Sequence, residues 1–241
     1  MNRVAAAVAL VVVLAVSACT DDDGDDQVVT APTSTTAPAG SETSTTSSSP
    51  SSTTTPTESQ PALWPAPGTA VDDPAEAAAG FVTGLLGGAE PALGEFQEGG
   101  PGAGEIEVLR QNEGGGIGGI RSVLSLRQLG EGWFVTSAQS PAVTIDEPQT
   151  LATVAGTIEV AGSGRGFEGT LLISLRTAGE GGPPLAETFV TAGASEELEP
   201  FTTELDIAAD PGTTLALVVG NADASNGELG EFTAIPLVTA P

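Results

Sequence analysis

Thr170-Leu171-Leu172-Ile173-Ser174-Leu175-Arg176-Thr177 places Leu171, Ile173 and Leu175 on one face of an extended chain. A strand that packs one face on a core buries every second side chain, so this stretch reads as a half-buried strand. Its flanks are turn-forming: Gly162, Gly164 and Gly166 precede it, and residues 179–184 are rich in Gly and Pro. The same reading extends outward in both directions. Residues 142–145, 156–161, 185–191, 201–207, 214–219 and 232–238 are further expected strands, with Leu215, Leu217 and Val219 sharing a face. Pro200, Asp210-Pro211-Gly212 and Asn226-Gly227 separate them. Seven short strands in about 100 residues predict an immunoglobulin-like sandwich over residues 141–241.

Upstream, residues 72–140 read as a small α+β unit. Asp73 is placed to cap a helix, Pro74 suits its first position and Glu76 completes a capping box. Ala78, Phe81, Val82, Leu85 and Leu86 follow at helical spacing, and Gly87-Gly88 stops the helix. Residues 105–111 alternate, with Ile106 and Val108 on one face. Residues 122–129 alternate as well, and Gly130-Glu131-Gly132 turns the chain into Trp133-Phe134-Val135. The fold class is therefore mainly β: a small helix-on-sheet unit ahead of a sandwich.

The amino terminus is of a different kind. Arg3 precedes residues 4–16, which are apolar throughout, and Val16-Ser17-Ala18-Cys19 follows. Spanning a bilayer takes roughly 20 apolar residues, so this run is too short. A basic start, a short apolar run and small residues before the break read as a signal peptide over residues 1–18. The four residues ending at Cys19 resemble the bacterial lipobox, with Val16 where Leu is usual. Cys19 is the single cysteine of the chain, which makes it the expected lipidation site. Residues 19–71 then read as a tether. Asp21, Asp22, Asp23, Asp25 and Asp26 form an acidic start, and residues 27–60 are almost wholly Ser, Thr, Pro and Ala. Such a stretch buries too little apolar surface to offset chain entropy and is expected to be disordered.

Ile145-Asp146-Glu147-Pro148, Val160-Ala161-Gly162 and Phe167-Glu168-Gly169-Thr170-Leu171 resemble the immunoglobulin-like domain family of bacterial spore germination. The resemblance runs over residues 142–239. It implies a sandwich found in envelope lipoproteins, often behind another small domain, with no catalytic residues to carry over. Residues 72–140 are similar to the small domain that precedes such modules in actinobacterial lipoproteins. In the turn at 162–169, Phe167 is expected to plug the core, with Gly164 and Gly166 at positive φ.

Composition excludes most chemistry. The 241 residues hold no His, no Lys and one Cys, and six Arg stand against 32 acids for a net charge of −26. From Asp72 onward 25 acids oppose 5 Arg, a net of −20. This surface repels phosphate, so nucleic acid is excluded as a partner. Without His or Lys, and with Cys19 committed, there is no activated nucleophile or zinc ligand set. Carboxylate-only glycoside hydrolysis is the enzymatic route left. The Gly114–Gly116–Gly119 and Gly164–Gly166–Gly169 spacings imitate a dinucleotide fingerprint but precede no helix. Residues 223–231 faintly imitate a calcium loop, out of register. Trp133 and Phe134 are candidates for a sugar platform or for core.

The expectation is a lipoprotein on the outer face of the bacterial cytoplasmic membrane, reaching into the wall. It is held through lipid on Cys19 and acts as a non-catalytic binding or scaffolding module. An envelope protein or cell-wall glycan is the expected partner, and no cofactor, metal or catalytic residue is assigned. A purely structural envelope protein and a carboxylate hydrolase are the alternatives.

Overall fold

The computed structural model describes residues 60–112, 114–194, 197–222 and 229–241, all within one compact unit. Asp73 caps helix α1 (Pro74–Gly80): its carboxylate accepts from the amides of Ala75 and Glu76 at 2.7 and 3.1 Å. The helix widens into a π-turn over Phe81–Leu85, closed by the Leu86 amide donating to the Phe81 carbonyl at 3.1 Å. Gly87, at φ 73, ends it.

Thirteen strands follow among the described residues: β1 (Ala92–Leu93), β2 (Gln97–Gly100), β3 (Ala103–Gln111), β4 (Ile117–Leu129), β5 (Gly132–Gln139), β6 (Val143–Glu147), β7 (Thr153–Val154), β8 (Thr157–Gly164), β9 (Thr170–Thr177), β10 (Ala186–Thr191), β11 (Glu199–Asp206), β12 (Thr214–Ala222) and β13 (Leu229–Thr239). The seven expected sandwich strands are all present. The earlier Gly-rich stretch also carries two short strands that its composition concealed, β1 and β2.

One sheet runs β1-β3-β4-β5-β13-β12-β9-β10, with β2 joined to β3 and β7 to β13; the other runs β11-β8-β6. The chain changes sheets just after β5, close to the boundary expected at residue 141. There the Ser140 amide donates to the Thr233 hydroxyl at 3.1 Å, and that buried hydroxyl donates onward to the Val143 carbonyl. The large sheet itself is continuous across this point, because β5 meets β13 at Ala138 and Ala234.

Two cores lie on opposite faces of the large sheet. Phe81, Val82 and Leu85 pack on Ile106, Leu124, Val135, Ala216, Val218 and Phe232. On the other face Leu171, Ile173, Leu175, Leu215, Leu217 and Val219 meet Val160, Phe201 and Leu205 of the small sheet. Strands β12 and β13 are therefore buried on both sides, which explains why each reads as a nearly unbroken apolar run.

Residues 61–71, which composition assigns to the tether, belong to the folded unit. Leu63 is fully buried. Its amide donates to the Val135 carbonyl at 2.8 Å, and its carbonyl accepts from the Gly179 amide at 2.8 Å. The Val71 carbonyl accepts from the Trp133 amide at 2.7 Å. The strap turns at residues 66–69, where the Thr69 amide donates to the Ala66 carbonyl at 3.0 Å, and two large apolar side chains, Leu63 and Trp64, fix it.

Gly164 and Gly166 do not take positive φ. In their turn that conformation falls to Glu168 and Gly169, at φ 55 and 71. The need for glycine is spatial: a Cβ on Gly164 would stand 2.5 Å from Leu171 Cδ1, and one on Gly166 would stand 2.6 Å from the Thr170 carbonyl. The side chain of Phe167 lies outside the described residues.

Candidate functional site

The strap builds the site. Trp64 lies against the helix where Gly80 and Gly84 offer no side chain; Cβ atoms there would come within 2.6 and 2.4 Å of the indole. Spaced four apart, the two glycines fall on one helix face. With Trp64 seated, Gln60 and Pro61 run over the solvent-facing side of β4 and β5, away from the helix. Two depressions flank them. One, of about 490 Å³, is walled by Pro61, Pro65, Pro67, Leu129 and Phe134, with Glu131 at its side.

The second depression, of about 300 Å³, lies between the open face of β4–β5 and the turn after β6. Antiparallel pairing sets Ser125 opposite Ser137 and Arg127 opposite Phe134. Alternation along β4 sends Leu124 and Leu126 into the helix-side core, so Ser125 and Arg127 face out. Thr150 and Leu151 form the facing wall. The Leu151 amide donates to the Pro236 carbonyl at 2.7 Å, and Leu151 is held at φ 64. Among the described residues no carboxylate lines this cleft.

The arginines divide by role. Arg110 pairs with Glu231 at 3.5 Å. Arg121 donates to the Gly230 and Leu229 carbonyls and lies 5.9 Å from the Phe232 ring centroid. Arg176 donates to the carbonyls of Leu85 and Gly182 at 3.1 and 2.9 Å. Burial lowers its pKa, and the nearby charge of Glu187 acts in the opposite sense. Arg127 is exposed on the cleft and forms no ion pair or side-chain hydrogen bond among the described residues.

The expected sites sort accordingly. Cys19 lies outside the described residues, as do residues 223–228 of the calcium-like loop. Neither glycine pattern opens an α-helix: the first runs into β4, and the second runs from the end of β8 through a single 3-10 turn, Phe167–Gly169, into β9. Trp133 packs edge-on against Phe96 at 5.1 Å, beside the helix-side core, while Phe134 lines the larger cleft. Glu180 and Asp210 line a separate open depression with Thr177, Leu185 and Thr213; both are exposed, and neither is buried against the other. Sequence reading missed the strap and the polar cleft. The Gly80–Gly84 spacing downstream of an isolated Trp was the one local signal.

No curated protein matches the chain. Strands β6 to β12 form the part for which a family is found, and the match stops short of β13 and of the 239 limit read from the sequence. Residues 142–228 match the family described as the immunoglobulin-like domain of bacterial spore germination.

Proposed function

We propose that this chain is a membrane-anchored envelope lipoprotein whose folded part is a non-catalytic binding or scaffolding module. One observation carries the non-catalytic reading: among the described residues, the clefts on the β4–β5 face hold one carboxylate between them, Glu131, where glycoside hydrolysis needs a facing pair. The family match supports it, since immunoglobulin-like modules are generally binding or structural units. The anchor rests on Cys19 and the residues before it. Multiple acyl chains, at about 0.8 kcal/mol per buried methylene, hold stably where one chain does not. With residues 61–71 folded, a tether of about 40 residues spans roughly 35 Å as a coil and about 120 Å when extended, enough to carry the module into the wall. The test is Cys19→Ala in the native host. The variant should leave the membrane fraction or accumulate as precursor; wild-type processing and fractionation would refute the anchor.

A further inference from the structure

We propose that the cleft between Ser125, Arg127, Ser137, Gln139, Thr150 and Leu151 binds a sugar unit of a neutral, hydroxyl-rich glycan. This rests on the binding-module reading and names its ligand. Three features of the cleft point there. Its volume, about 300 Å³, suits one or two sugar rings rather than a protein segment. Its polar lining is mixed, with hydroxyls from Ser125, Ser137 and Thr150, the Gln139 amide and the Arg127 guanidinium. Sugars present both donors and acceptors on every ring, and such a lining answers both. Beside these stand Leu151, which is 41% exposed, and Pro236, apolar surfaces against which the C–H face of a ring can lie.

Charge decides for a neutral ligand. The chain around the cleft carries a net of −20 from residue 72 onward, a field that disfavours an approaching anion. Among the described residues no carboxylate lines the cleft, and the exposed Arg127 guanidinium there can donate to hydroxyl or carbonyl oxygens. Phe134, the cross-strand neighbour of Arg127, lines the adjoining cleft, so a longer glycan has a second apolar surface along the same face.

The same chemistry has two sources, wall polysaccharide and sugars attached to the chain's own Ser/Thr-rich residues 27–59, which precede the cleft residue Gln60 in the sequence. Titration of the mature protein before and after deglycosylation separates them, because an attached sugar competes with added ligand. The probes are chitotetraose, cellotetraose and glucuronate, read by saturation-transfer NMR. Saturable binding of either neutral probe is expected, weakened at least about fivefold, or roughly 1 kcal/mol, in both Arg127→Gln and Ser137→Ala. These variants must melt as wild type, which their exposed and half-exposed positions favour. The proposal is overturned if neither neutral probe binds up to roughly 50 mM, an affinity of about 2 kcal/mol. It is equally overturned if glucuronate alone binds, or if both variants bind as wild type. A protein partner crosslinked in cells alongside such a failure would leave the binding-module reading standing and remove the glycan cleft.

Discussion

The rings of Phe81 and Phe232 lie 6.3 Å apart with their planes tilted by 40°, and both side chains are fully buried. One comes from the helical turn at the start of the fold and the other from the last strand. Their contact joins the helix to the strand that also closes the sandwich, so the two parts share a core. Phe232→Ala should therefore cost about 3–5 kcal/mol, as large-to-small core changes do. The loss should appear as a shift of one cooperative denaturant transition followed by both far-UV and tryptophan signals. Two separated transitions would mean that the helix-bearing part unfolds alone.

Gly84→Ala should loosen the strap. The added methyl would stand 2.4 Å from the Trp64 indole. Overpacking of this kind costs about 1–3 kcal/mol, partly offset by about 1 kcal/mol of helix propensity. Intrinsic fluorescence should shift to the red as Trp64 leaves the helix. A Gly87→Ala control meets nothing within 4 Å and should cost only the strain of its positive φ, with no spectral shift.

Asp73→Ala removes the acceptor of two helix amides. The expected loss is about 0.5–2 kcal/mol in a denaturant melt, with Asp73→Asn recovering most of it. Equal losses in both variants would show that the carboxylate charge, rather than the cap geometry, matters.

Arg176→Met tests the link between the β9 strand and the helix end. It leaves the Leu85 and Gly182 carbonyls without their donor, a loss of about 1–3 kcal/mol. Arg127→Met, on the open face, should change stability by less than about 0.5 kcal/mol. The contrast separates a structural arginine from one left for a ligand.

Alternation is the local signature of a strand, and it was legible wherever one face is buried. Leu171, Ile173 and Leu175 gave β9 its observed limits, Thr170–Thr177. In β12 the odd residues marked one core, but Ala216 and Val218 on the other face belong to a second core that no local pattern announces. The helix was readable because Asp73, Pro74 and Gly87 act locally. The strap was not, since Leu63 and Trp64 sit among prolines and their partners, Val135 and Gly80, are remote in sequence. For the same reason the polar cleft was hidden: Gln60, Ser125 and Thr150 meet only through the fold. Gly164 and Gly166 suggest backbone freedom in the sequence, but close approach of Leu171 and Thr170 is what requires them.

The central claim is that this fold is carried on a lipid at Cys19, and mass spectrometry of the amino-terminal peptide from native membranes tests it most directly. The account predicts a peptide beginning at Cys19 with a diacylglyceryl group on its sulfur. An unmodified Cys19 within a peptide that still carries residues 1–18, or a soluble chain cleaved elsewhere, would contradict it.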